Sequence, residues 1–168
     1  MTGTRTSFAT HDCGFAQAIE HIGDQWSFLI IRNLFMGMTR FEDFAAHLSI
    51  STKVLSSRLQ HLVDEGLVAS TADEHDGRSK IYRLTDKGQG LSPVVGALTQ
   101  WGETWVPKEG GPRTEFYDLD TGEAIEGFAV ISRQGGLIAP DRVGHRTGPG
   151  GSKVRDELDA LVEKREGR

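Results

Sequence analysis

The chain has 168 residues, 37% hydrophobic and 26% charged, and a formal net charge of −5 at pH 7. That length suits one domain with an appendage or two small domains, and no run approaches the roughly twenty apolar residues of a membrane-spanning helix. One cysteine, Cys13, excludes an intrachain disulfide, and the six histidines nowhere show paired zinc-ligand spacing, so no metal or other cofactor is expected.

Residues 1–12 are polar and read as a flexible tail without the apolar segment of a signal peptide, which makes the cytoplasm the expected location. Phe15, Ala18, Ile19 and Ile22 follow helical spacing, and Gly23 can end that first helix. Asp24 is a good N-cap for a second helix running to about Phe35. It is apolar on most sides, which predicts Trp26, Leu29, Ile30 and Leu34 in the core. After Gly37, Thr39 and Glu42 fit a capping box, and Phe41, Phe44, Ala45 and Leu48 share one face of a third helix.

The fourth helix, Ser51 to Glu65, carries an apolar stripe of Leu55, Leu59, Leu62 and Val63 opposite a polar face that includes Lys53, Ser57, Gln60 and Asp64. Gly66 can take the left-handed position after it, with Leu67 folding back on Leu62. Two extended runs follow, 67–72 and 80–85, with Asp76 and Gly77 at a hairpin tip. Thr85 can cap a further helix to about Val106, bearing Leu91, Val94, Val95, Leu98, Trp101 and Trp105, although Gly88, Gly90, Pro93 and Gly96 weaken its first half. Two tryptophans one turn apart predict a subunit contact there.

Residues 107–112 read as a linker. Beyond it, 113–168 alternate short apolar runs with glycine turns, which predicts a small β unit of two or three strands. A second glycine-rich break at Gly148 to Gly151 leads to a terminal helix with Val154, Leu158, Leu161 and Val162 on one side. The fold class is therefore α+β, a winged helix-turn-helix over 13–106 with a small β-rich C-terminal domain and terminal helix.

The overall charge is acidic, but 51–58 holds Lys53 and Arg58 without an acid, and 78–87 holds Arg78, Lys80, Arg83 and Lys87 against Asp86 alone. A recognition helix needs small hydroxyls and a cation in its first turn to approach base edges and phosphates, and Ser51, Thr52, Lys53, Ser56 and Ser57 supply them, with Gln60 on the same face. Arg78 and Lys80 would reach a neighbouring groove from the hairpin. Singly, each has a plainer explanation, Ser51 as a cap and Lys53 as a solvated charge; the ordered set points to duplex DNA as the partner.

The chain also resembles the HxlR family of regulators. The likeness rests on Cys13, the segment Ile22 to Trp26 (IGDQW), Leu29 to Arg32, Arg40 with Phe41, Ile50 with Ser51, Val54 with Leu55, and Arg58 with Leu59. It continues through Gly66 to Val68, Tyr82 to Thr85, Gly88 and Trp101. It implies a prokaryotic homodimer on an inverted-repeat operator, joined through the first and last winged-helix-domain helices, so that Leu98, Trp101 and Trp105 meet a second copy. It further implies that the Ser51 helix reads bases, that Arg40 touches phosphate, and that the Arg78 and Lys80 hairpin is the wing.

Some family members sense oxidants or electrophiles through a cysteine at the Cys13 position, so a thiol switch is an expectation here, and an unidentified small-molecule effector is a further one. The sequence departs from the family where Gly14, not proline, follows Cys13, where Gln25 replaces the usual lysine, and in a wing more like that of MarR-type regulators. Two other classes compete. An enzyme built on Cys13 lacks a resolving cysteine or a recommended histidine base, so no enzyme is expected; a protein-binding winged helix would lack salt-dependent DNA affinity.

Overall fold

Residues 23 and 24 set the first corner of the fold in the computed structural model, which describes residues 7–74, 76–77, 79–144, 147–152, 160–161 and 164. Helix α1 (Gly14–Ile22) stops at Gly23, whose φ of +106° L side chains rarely adopt. Space adds a second constraint, because a Cβ at Gly23 would stand 3.0 Å from His61 Nε2 and 3.2 Å from Ser27 Oγ. Asp24 then caps α2 (Gln25–Phe35), its Oδ1 accepting from the backbone N–H groups of Trp26 at 2.9 Å and Ser27 at 3.2 Å. Its Oδ2 meets Arg58 Nη2 at 2.6 Å, so one carboxylate both starts α2 and holds a later helix.

Ile30, Ile31 and Leu34 of α2 are buried, together with the polar Ser27 and Asn33. Trp26 and Leu29, expected in the core, are instead half-buried. The inward face of α2 is centred on Ser27, Ile30, Ile31 and Leu34, and the two displaced residues lie beside it, lining an open cleft with α6 (Ser92–Trp105).

The capping box of Thr39 and Glu42 does not form. Helix α3 (Phe41–Leu48) has Arg40 at its N-cap position and no side-chain cap. The backbone there is used for sheet pairing instead: the Thr39 carbonyl accepts from the Tyr82 N–H at 2.8 Å, and Arg40 bridges Ile81 antiparallel. Glu42 and Asp43 still suit the positive end of the helix dipole. Phe44 is buried, and α3 ends at Ser49 in the left-handed region, φ 52° and ψ 36°.

Helix α4 (Thr52–Asp64) begins at Ser51, whose hydroxyl accepts from the Val54 N–H at 3.3 Å, and buries Leu55, Leu59 and Leu62. Its end is a Schellman turn: Gly66, at φ +67°, donates to the Val63 carbonyl and Leu67 to the Leu62 carbonyl, each at 2.9 Å. Further contacts secure this end. Thr85 Oγ1 donates to the Gly66 carbonyl and Lys87 Nζ to the Glu65 carbonyl, both at 2.7 Å.

Strands β1 (Val68–Ala72) and β2 (Lys80–Leu84) pair antiparallel from Val68 with Leu84 to Ala72 with Lys80. Where one long helix was expected after Thr85 there are two, α5 (Asp86–Gln89), capped by Thr85, and α6, separated at Gly90 and Leu91 and restarted with Pro93 in its first turn. Three helices with a tight turn between α3 and α4, followed by a hairpin, make a winged helix-turn-helix.

The chain divides into two units, Ile22–Ala129 and the combination of Met1–His21 with Val130–Arg168. The division does not fall at 107–112. Residues up to 129 stay with the winged helix because the Phe128 N–H donates to Gln100 Oε1 at 2.7 Å and its ring lies over Gly96, where a Cβ would overlap it. Phe116 meets Phe128 edge to face at 5.2 Å, and Tyr117 bridges Ala124.

In the other unit, β3 (Val130–Ile131) and β4 (Leu137–Ile138) form a short hairpin before a 3-10 turn, Pro140–Arg142. Residues 7–11, read from sequence as loose tail, are held on α1: Gln17 Nε2 donates to the carbonyls of Phe8, Ala9 and His11, and the Phe8 N–H donates to Glu20 Oε2 at 2.9 Å. Of the terminal-helix stripe, Leu161 is helical, while Val154, Leu158 and Val162 lie outside the described residues.

Candidate nucleic-acid interface

The apolar stripe of α4 faces the core, so the opposite side is turned outward by the helical period alone. Ser51, Thr52, Lys53, Ser56, Ser57 and Gln60 are all exposed. The first turn contains no acid, and its free backbone N–H groups add the positive end of the helix dipole to the Lys53 charge. Farther along, Gln60 Nε2 donates to Asp64 Oδ1 at 2.8 Å, so the acidic end of this face is four residues beyond Gln60 and the cationic end is at Lys53. Thirteen residues make a rod of about 20 Å, a length that can lie in a major groove by its N-terminal half.

Two arginines near this face have structural partners. Arg58, counted in the basic patch at 51–58, is tied to Asp24 and locks α4 to the start of α2. Arg40 Nη2 lies 2.5 Å from Asp73 Oδ2; the carboxylate is buried, at 5% exposure, and the guanidinium is 44% exposed. Arg40 therefore fastens the root of the wing to the start of α3 while part of its edge remains in solvent. The sequence did not single out Asp73, whose only local signal is an acid at the end of a strand.

On the wing, Lys80 and Arg83 are exposed, and the Ser79 hydroxyl donates to Asp76 Oδ2 at 2.8 Å. Arg78 lies outside the described residues. Tyr82 is buried between the hairpin and Phe44, with the rings edge to face at 6.4 Å. Burial, and then the nearby Glu42 charge, push its phenol pKa above the ordinary value.

The other sequence candidates lie elsewhere. Cys13 is half-buried at the start of α1, where its carbonyl accepts from the Gln17 N–H at 3.0 Å. Leu98, Trp101 and Trp105 are exposed on α6 by 57%, 57% and 71%. Among the described residues no His, Cys, Asp and Glu group is placed to hold a metal, and no helix is long and apolar enough to cross a membrane.

Comparison with known proteins agrees with this geometry. The HxlR-like helix-turn-helix family profile matches residues 21–110. An uncharacterized HTH-type transcriptional regulator of Mycobacterium bovis is 34% identical over 134 residues, 80% of this chain and 85% of the relative. The Bacillus subtilis regulator YvaP is 34% identical over 93 residues, 55% of this chain and 86% of its own. Among solved structures, PA1607, named as a candidate transcription factor, superposes with a TM-score of 0.74 at 33% identity, covering 86% of this chain and 99% of that one. The redox regulator HypR in its reduced form gives 0.51 at 27% identity over 56% of this chain and 95% of its own. With a capped α4 whose outward first turn is free of acids, a hairpin fastened to the start of α3, and a family profile that matches more than half of its length, this chain belongs to the HxlR-like helix-turn-helix family, as a transcriptional regulator with a DNA-binding fold.

Proposed function

We propose that the protein is a homodimeric repressor that binds an inverted-repeat operator in the cytoplasm, with one α4 of each protomer in successive major grooves. The observation that carries this reading is the exposed first turn of α4, where hydroxyls, Lys53 and free N–H groups stand together without a carboxylate. Ser51, Thr52, Ser56, Ser57 and Gln60 face base edges; Lys53, Lys80 and Arg78 face phosphates, and Arg40 offers its solvent edge to the backbone. The dimer forms through Leu98, Trp101 and Trp105.

Fluorescence anisotropy with the DNA upstream of the protein's own gene tests this. Binding should survive competitor DNA and weaken steeply with salt, and Lys53→Ala should weaken it roughly tenfold or more and lower the salt slope by about one. No binding at low salt, or an unchanged Lys53→Ala protein, would overturn the assignment.

A second reading concerns Cys13, supported by its place at the start of α1 and by the likeness to a redox regulator. Addition of the Cys13 S–H across the double bond of a quinone places the sulfur on carbon and the proton on the reduced ring, and would alter the start of α1. Mass spectrometry after quinone treatment should find one adduct on Cys13 and a changed operator affinity. Unmodified Cys13 with constant affinity would remove this reading.

A further inference from the structure

Arg32 stands on the wall of an apolar cleft with no carboxylate in ion-pair contact among the described residues. The cleft, about 510 Å³, lies between α2 and α6 and is lined by Trp26, Phe28, Leu29, Val95 and Leu98 beside Arg32. A second cavity of about 680 Å³ shares Arg32, Val95 and Thr99 and continues toward Phe116; it also carries Glu103, paired with Arg113, and Glu115, so the anion site is the first cleft, where Arg32 is the one charged lining residue among the described residues. Its Nε and Nη2 donate to Asn33 Oδ1 at 3.0 and 2.6 Å, and Nη2 lies 3.3 Å from His47 Nε2. Neither neighbour is a carboxylate. By contrast, Arg40, Arg58 and Arg113 face Asp73, Asp24 and Glu103.

We propose that this cleft binds a small apolar monoanion, a carboxylate on a hydrocarbon or aromatic body, with Arg32 as its counter-ion. The apolar walls accept the body, and a guanidinium amid low-polarity groups attracts an anion more strongly than one in open water. An apolar side chain from a second copy would fill the volume but leave the Arg32 charge unanswered; a neutral ligand would do the same. The proposal deepens the regulator reading, and rests on it for one consequence: Arg32 joins α2 to His47 of α3, so a carboxylate drawing the guanidinium into the cleft exchanges a contact with the helix-turn-helix. Operator and ligand then alter each other's affinity by the same factor.

The test titrates the full-length protein with octanoate, following the Trp26 indole N–H resonance, with 1-octanol and octylammonium as neutral and cationic counterparts. Octanoate should bind saturably, one per protomer, and at least tenfold more tightly than either counterpart; this comparison needs no variant. Arg32→Gln should remove that preference, and Val95→Phe, which fills the junction of the two cavities, should weaken all binding. Equal affinity for octanoate and octanol, or no shift at millimolar octanoate, would overturn the site. So would dissociation of the dimer by Val95→Phe together with no octanoate binding by the parent protein, which would give the cleft to a second copy. Because these titrations contain no DNA, a failure of operator binding would be seen separately, in anisotropy with and without octanoate. A bound octanoate that leaves operator affinity unchanged would overturn the coupling through His47.

Discussion

Helices α4 and α6 are nearly equal in length, 13 and 14 residues, and they treat their outward faces in opposite ways. Helix α4 buries Leu55, Leu59 and Leu62 to 1% exposure or less and turns hydroxyls, an amide and a lysine outward. Helix α6 buries only Gly96 and leaves Val94, Leu98, Trp101 and Trp105 uncovered. The first is finished within one chain, its apolar side enclosed and its polar side wet. The second exposes two aromatic rings that bury about 150–250 Å² each when covered. On the function proposed above, α4 meets a polar surface and α6 an apolar one. Damage around α4 should therefore lower stability independently of protein concentration, whereas damage to the α6 face should act through concentration.

The largest effect is expected at the wing root. Arg40→Ala removes the Arg40 guanidinium from the buried Asp73 carboxylate and should cost about 3 kcal/mol in urea unfolding, equally at low and high protein concentration. Asp73→Ala should cost less, because the half-exposed guanidinium recovers hydration. A reversed order would show that the pair does not hold the wing in this way. Next, Gly23→Ala should cost about 2 kcal/mol, again without concentration dependence, because the new methyl meets His61 and Ser27 at an unfavourable φ.

The α6 side gives the contrasting result. Trp101→Ala with Trp105→Ala should raise the dimer dissociation constant at least tenfold in analytical ultracentrifugation and abolish the dependence of Tm on concentration, with the helical circular dichroism retained. An unchanged dissociation constant would break the comparison. A smaller gain is expected from Ser49→Gly, about 0.5–1 kcal/mol, since Ser49 holds a positive φ between α3 and α4 that glycine adopts without a Cβ penalty. The smallest effect is a pH dependence. The Tyr82 pKa is raised in the folded state, so its contribution is full below the ordinary phenol range, near pH 10, and is lost as pH rises through the raised value. Tyr82→Phe should flatten that part of the stability profile.

The helices through α4 were legible because the signals that specify them are local. Asp24, Ser51 and Gly66 act within four residues of their partners, and Leu55, Leu59 and Leu62 repeat at the helical period. Where reading failed, a distant segment competed. Thr39 and Arg40 gave their backbone to a strand some forty residues later, which dissolved the capping box with Glu42. Trp26 and Leu29 looked like core because α2 is apolar all round, and only the packing of neighbouring helices decides which side faces in. The pairs Asp24 with Arg58 and Arg40 with Asp73 were invisible for the same reason, and they reassign Arg58 from an open basic patch to a brace. Residues 113–129 looked like the beginning of a separate unit because Gly96 gives no sign, in sequence, of the Phe128 ring that covers it.

The hooks at the end of α4 have one more consequence. Thr85 and Lys87, at the start of α5, hold the carbonyls of Gly66 and Glu65, and α5 runs through a two-residue break into α6. In a dimer built on α6, these bonds would make the protomer a caliper: the gap between the two reading heads would be set by the links from α4 to α5 and by the break at Gly90 and Leu91. Such an instrument measures DNA as well as reading it. Half-sites one base pair nearer or farther would be rotated around the duplex by about a tenth of a turn, and the second head would meet backbone where it needs groove.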